Sequence, residues 1–168
     1  MPPASKKNSL IQTPETERAA LPRFRPRIVF AQPGGSGTRG EPIAGRSILI
    51  VEDDFLIAQQ IQHSLTKAGY EIVGVATSAE EAISFAQASS PDLVLMDIRL
   101  AGARDGVDVA LELYANLGIR CLFVTAHHDQ ATRLRAAAAA PIGWVAKPFV
   151  MAVLIKSVRS ALAALDGE

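Results

Sequence analysis

Ser47-Ile48-Leu49-Ile50-Val51-Glu52-Asp53-Asp54 decides the reading of this chain. Five residues of apolar, partly β-branched character run straight into three acids. Such a run without polar alternation is expected of a strand buried on both faces. The cycle then repeats. Ile57, Ile61 and Leu65 recur at helical spacing up to a stop at Gly69, and Glu71 to Val75 reads as the second strand. Ser78 with Glu81 is expected to form a capping box ahead of a helix holding Ala82, Ile83, Phe85 and Ala86, which Pro91 ends. Asp92 to Met96 is the third strand. A helix over 106–116 stops near Gly118, and Cys121 to Val124 is the fourth strand. An alanine-rich helix is expected over 128–139, then a strand from Ile142 to Ala146 and a last helix from Val150 to Leu165. Strand and helix alternating at this spacing imply a parallel sheet with helices on both faces.

Upstream of this core the texture differs. The chain has 168 residues, 49% of them apolar and 20% charged, with seventeen basic and seventeen acidic groups. The neutral total conceals a split. Residues 1–46 hold eight basic and three acidic groups, a net +5, and seven of the ten prolines; the rest of the chain holds nine basic and fourteen acidic groups, a net −5. Pro33 to Gly40 reads as flexible linker. Residues 1–45 are expected to be a mostly disordered extension, because they bury too little apolar area to offset their ordering entropy. Within them Arg27-Ile28-Val29-Phe30-Ala31 is the one segment suited to pairing as a strand or docking on a partner. Cys121 is the only cysteine, which excludes a disulfide-stapled scaffold and points to a cytoplasmic location. No apolar run reaches the roughly 18–20 residues that span a bilayer, and no signal-peptide core is seen near the N-terminus.

In parallel sheets of this kind, ligands bind beyond the carboxyl ends of the strands. Those ends carry Glu52, Asp53 and Asp54 after the first strand, Asp97 after the third, Thr125 and Ala126 after the fourth, and Lys147-Pro148 after the fifth. Clustered carboxylates repel one another and need a counter-charge. Their oxygens suit a hard cation such as Mg²⁺, while Lys147 and Thr125 are a point charge and a hydroxyl suited to a phosphoryl group. Taken singly, Asp53 or Asp54 reads equally well as a helix cap, and Lys147 as a surface charge.

Ile48 to Asp54, Asp92 to Asp97, Phe123 to Ala126 and Val145 to Phe149, in register and in order, resemble the receiver domain of the response regulators of bacterial two-component systems. The resemblance spans residues 46 to about 165, so residues 46–168 are assigned to one receiver domain. It implies a flavodoxin-like (βα)5 three-layer sandwich with strand order 2-1-3-4-5. It implies that Asp97 accepts a phosphoryl group from a histidine kinase or a histidine phosphotransferase. Mg²⁺ would be held by Asp53, Asp97 and the backbone carbonyl of Arg99, with Glu52 acting through water. Thr125 and the Ala126 N–H would contact the phosphoryl group, Lys147 would pair with it beside a cis Lys147–Pro148 bond, and Trp144 would be the switch aromatic. Arg99 and His127 fall where relatives tune the lifetime of the phosphoryl group. Transfer of this kind needs in-line positioning and charge neutralisation, so the domain promotes its own phosphorylation and dephosphorylation and is no turnover enzyme.

The chain departs from the common pattern in the loop Ile98 to Gly106, which is one residue longer, with Leu100-Ala101 for the usual Met-Pro. This pattern is frequent in stand-alone receivers and hybrid kinases. Ala140-Pro141 stands where relatives carry Gly-Ala. No output unit follows the last helix within the sequence, so signalling through contact with a downstream protein is expected. The last helix has seven large apolar positions, Met151, Val153, Leu154, Ile155, Val158, Leu162 and Leu165, more than one buried stripe needs; pairing of its outer face with a second copy is the corresponding expectation. Two alternatives stand beside this reading: a regulator contacting nucleic acid through the basic tail, for which Phe24 and Phe30 offer little stacking surface, and a phosphorylation-independent scaffold of receiver fold.

Overall fold

The computed structural model describes residues 45–167. The extension expected over 1–45, with its Arg27–Ala31 segment, lies outside the described residues apart from Gly45. The elements run β1 (Ser47–Val51), α1 (Phe55–Lys67), β2 (Glu71–Ala76), α2 (Ala79–Ser89), β3 (Leu93–Met96), α3 (Gly106–Leu117), β4 (Cys121–Thr125), α4 (Gln130–Ala136), a 3-10 turn (Ala137–Ala139), β5 (Gly143–Ala146) and α5 (Met151–Asp166). The five strands form one sheet of order β2-β1-β3-β4-β5, every pair parallel. This is the expected (βα)5 architecture.

The period-2 alternation of side chains divides the core in two. Leu49, Val51, Val94, Met96, Cys121 and Phe123 face α2 and α3. Ile48, Ile50, Leu93, Leu95, Leu122 and Val124 face α1 and α5. Both layers are apolar, which is why the central strands show no alternation in sequence. Each fully buried Leu, Ile or Phe of this set contributes roughly 1.5–3 kcal/mol. On β2 the register shifts between Ile48↔Ile72 and Leu49↔Gly74. The bulge leaves Val73 and Gly74 both on the side of α2, where a Cβ on Gly74 would lie 2.9 Å from the Phe85 ring.

Local chemistry sets the helix ends. Asp54 caps α1, its carboxylate accepting from the Leu56 and Ile57 N–H groups at 2.9 and 3.1 Å. At the far end Gly69 has φ 93°, and the Tyr70 N–H closes back on the Leu65 carbonyl at 3.1 Å. The capping box expected at Ser78 is only half formed. The Ser78 hydroxyl accepts from the Glu81 N–H at 3.3 Å, but the Glu81 carboxylate turns to the N–H and hydroxyl of Thr77, at 2.8 and 3.0 Å. The reciprocal box belongs instead to α3, between Asp105 and Asp108. The fourth helix is shorter than expected. Asp129 caps it by accepting from the Thr132 N–H and hydroxyl, and it tightens into the 3-10 turn before Ala140, whose φ of 44° precedes Pro141. On α5, Leu154, Val158 and Leu162 are buried, and Met151, Ile155 and Leu165 pack against the core. Val153 is the one of the seven apolar positions that stays exposed.

Candidate functional site

All four site-bearing strand ends meet at one edge of the sheet. The register carries the alignment, with Val51 level with Met96, Met96 with Phe123 and Thr125 with Ala146. The residue that follows each strand therefore faces the same cleft.

Asp97 is 7% exposed and directly follows β3. One of its carboxylate oxygens, Oδ1, accepts from the Ile98 N–H at 2.6 Å and the Arg99 N–H at 3.3 Å. The other, Oδ2, accepts from Lys147 Nζ at 2.7 Å. The same ammonium donates to Glu52 Oε2 at 2.5 Å, so Lys147 bridges two acids that follow different strands. Glu52 is 2% exposed, and Glu52 Oε1 accepts from the Asp54 N–H at 3.4 Å. Burial pushes the Glu52 carboxyl above its ordinary value despite the Lys147 bond. Burial also works against the charge on Lys147, but its bonds to Asp97 and Glu52 outweigh it and hold the ammonium above its ordinary value. The Lys147–Pro148 peptide is cis, as expected.

Asp53 completes an acid cluster. Glu52, Asp53 and Asp97 each bring a carboxylate oxygen within 4.8 Å of the other two. Asp53 is the exposed member and gives the cluster its open side. The neighbouring Asp54 is the helix cap, so the two readings of the Asp-Asp pair are divided between the two residues. Three hard oxygen donors, two of them buried, with one ammonium to balance them, fit a small divalent cation.

The remaining residues form the rim. Thr125 is fully buried, and its hydroxyl oxygen accepts from the His127 N–H at 3.1 Å. Ala126 follows it at the surface. Arg99 and His127 are exposed and meet across the cleft, with Nη1 and Nε2 3.4 Å apart. Trp144 is half-buried, three residues before Lys147. Its ring stacks on Phe123 at 4.5 Å, and the Arg133 guanidinium lies over it at 4.9 Å.

Three contacts around the site were not read from the sequence. A Cβ on Gly106 would lie 1.9 Å from the Asp97 carbonyl oxygen, so the first residue of α3 must be glycine for the chain to pass there. Arg135 of α4 pairs with Asp105, the N-cap of α3, and Arg133 covers Trp144. The Asp105-Gly106 pair was a legible turn signal. The two arginine contacts join residues 30 and 11 positions apart and left no local signal.

A family model described as the response regulator receiver domain matches residues 48–159. Among curated proteins, the transcriptional regulatory protein PdtaR of Mycobacterium tuberculosis is 34% identical over 140 residues, covering 80% of this chain and 68% of its own. The chemotaxis protein CheY of Thermotoga maritima is 29% identical over 116 residues, covering 68% of this chain and 96% of its own. Among solved structures, the signal receiver domain of a modulated diguanylate cyclase from Desulfovibrio desulfuricans G20 superposes with a TM-score of 0.66 at 37% identity, over 71% of this chain and 95% of that one.

Proposed function

The chain belongs to the receiver-domain family of two-component response regulators, and from that premise we propose that it is a phosphorylation switch whose acceptor is Asp97. One observation carries the reading: a nearly buried carboxylate is held at one oxygen by backbone N–H groups and at the other by Lys147, beside two further acids. The hydrogen bonds orient the Asp97 carboxylate toward an incoming phosphoryl group. An Asp97 oxygen attacks phosphorus, and the P–N bond of a phosphohistidine donor breaks. Its electron pair stays on the imidazole nitrogen, and a mixed anhydride forms. Hydrolysis reverses the switch: water attacks phosphorus, the P–Oδ bond breaks, and the carboxylate and inorganic phosphate are released.

Asp53, Asp97 and the Arg99 carbonyl would hold Mg²⁺, with Glu52 acting through water. The bound ion would supply charge neutralisation for the phosphoryl oxygens. Lys147 places an ammonium beside the same carboxylate, where it offsets the charge that gathers during transfer. Thr125 and the Ala126 N–H are assigned to donate to the phosphoryl oxygens, and Arg99 and His127 to control the approach of water from the rim. Residues 46–168 are taken as the receiver unit. The donor is a histidine kinase or phosphotransferase, and output passes to a downstream protein.

The test reads Trp144 fluorescence on addition of Mg²⁺ and then beryllofluoride, alongside phosphoryl incorporation from a small acyl phosphate. A saturable, Mg²⁺-dependent change that Asp97→Asn abolishes is expected. Equal incorporation in Asp97→Asn would overturn the assignment of the acceptor, and a native protein silent in both assays would overturn the switch.

A further inference from the structure

The helix beside the site is held in an unusual way. Of the seven residues of α4, only Ala136 is buried, and the following turn adds Ala139. Leu134, its one large apolar residue, is 69% exposed. With so little apolar burial, its place depends on side-chain contacts made from its surface. Two adjacent positions on one side of it make them. Arg135 pairs with Asp105, and Arg133 lies over Trp144. Each contact leads back to a residue of the site. Asp105 ends the loop that Asp97 begins, and next to it the Gly106 N–H donates to the Ile98 carbonyl at 2.8 Å, with Gly106 packed on the Asp97 carbonyl. Trp144 stacks on Phe123, two residues before Thr125. A third link enters α4 from its own start, since the Thr125 hydroxyl accepts from the His127 N–H just ahead of the Asp129 cap.

We propose that α4 is a clamped element, held by Arg135 on Asp105 and by Arg133 on Trp144, and that modification of Asp97 loosens both clamps and frees the helix. The inference rests on the phospho-acceptor reading above. When the Thr125 hydroxyl turns to a phosphoryl group, the His127 N–H loses its acceptor and the segment leading into α4 shifts. Rearrangement of the Asp97 loop displaces Asp105 from Arg135 at the same time. A guanidinium over an indole and one exposed ion pair are contacts weak enough to exchange. Both ends of the coupling bias one element, as energetic coupling between sites requires.

The experiment is hydrogen exchange on the full chain over residues 129–139, with and without Mg²⁺ and beryllofluoride, with ligand binding followed separately by fluorine resonance. Three proteins are compared: the native chain, the double variant Arg133→Ala/Arg135→Ala, and Asp105→Asn, which keeps a capping oxygen for α3 but removes the charge facing Arg135. In the native chain, ligand should speed exchange across α4 about tenfold or more. The double variant should exchange fast without ligand and gain less than about threefold from it, and Asp105→Asn should fall between the two. Binding with unchanged α4 exchange in the native chain, or variants that exchange at the native rate, would overturn the clamp and leave the acceptor reading intact. Failure of the native chain to bind beryllofluoride would overturn the acceptor reading and the clamp with it.

Discussion

Lys147 is the residue on which the charge balance of the site turns. It faces two carboxylates that are 2% and 7% exposed. Removing one partner of a buried ionic set leaves the rest uncompensated, at a cost of about 3 kcal/mol. Lys147→Ala should lose about that much stability at neutral pH in urea unfolding, and Mg²⁺ should restore part of it. An unchanged midpoint would mean that water already balances Glu52 and Asp97. Gly106 acts by what it lacks. A methyl group there meets the Asp97 carbonyl oxygen at 1.9 Å, and backbone cannot yield as a flexible side chain does. Gly106→Ala should cost about 2–3 kcal/mol, the upper range of overpacking in a close-packed region. It should also move the Asp97 amide resonance; a variant with native stability and native shifts would sink the close-approach argument. The motif Asp105-Gly106 was plain in the sequence as a turn, but that the turn presses on the acceptor's own carbonyl was not, because the contact depends on how α3 enters the layer.

At the scale of elements, three helix starts are held by carboxylates whose acidity the fold has strengthened. The N–H and hydroxyl of Thr77 hold Glu81 below its ordinary value, and those of Thr132 do the same for Asp129. Burial pushes Asp105 up, but the Arg135 bond and the N–H groups of Asp108 and Val107 bring it below its ordinary value. A carboxyl with a depressed folded-state pKa contributes stability in full above its unfolded value, and that contribution is lost as pH falls through the folded value. The loss should therefore begin below ordinary values of 4.5 for Glu81 and 3.8 for Asp105 and Asp129. Glu52 has the opposite sign. Its folded value is raised, so its ionisation costs stability, and protonation relieves that cost as pH falls from the raised value toward 4.5. Urea midpoints between pH 7 and 3 should show an acid limb set by the three caps. Asp105→Asn should flatten that limb, and the same slope in both proteins would remove Asp105 from the account. The cap at Ser78 shows the limit of reading spacing alone. Ser78 and Glu81 stand at the right separation, yet Glu81 takes the better-placed donors of Thr77.

For the whole molecule, the acid cluster joins residues from β1 and β3 that lie more than forty positions apart, so a cation bound there stabilises only the folded chain. Free Mg²⁺ at a hundredfold excess over its Kd should raise stability by about 2.7 kcal/mol and Tm by roughly 10 °C. Asp53→Asn should abolish most of that rise, since Asp53 is the exposed member of the cluster and its replacement leaves the core untouched. A Tm independent of Mg²⁺ in the native chain would argue against the cation site. At the opposite edge of the sheet the strands are tied differently. The Asp92 carboxylate accepts from the N–H and hydroxyl of Ser47 at 2.7 and 2.9 Å, and Arg46 pairs with both Asp92 and Asp166. One edge is closed by complementary charge; the other gathers like charges around a single ammonium, and that imbalance marks it as the reactive edge.

Alone, the sequence determined the alternation of five buried runs with five helices, and with it the parallel sheet and the strand ends where Glu52, Asp53, Asp97, Thr125 and Lys147 stand. These follow from local pattern: apolar period, caps and breakers act within a few residues. Tertiary structure alone decided that Asp54 caps while Asp53 faces the cluster, that Lys147 spans Glu52 and Asp97, and that Gly106 packs on the Asp97 carbonyl. It also decided that two arginines hold α4 and that six of the seven apolar positions of α5 are taken up by the core. Each of these turns on distances between elements set by the register of the sheet and the packing of its two faces. Such distances join residues remote in the chain, and no local pattern carries them.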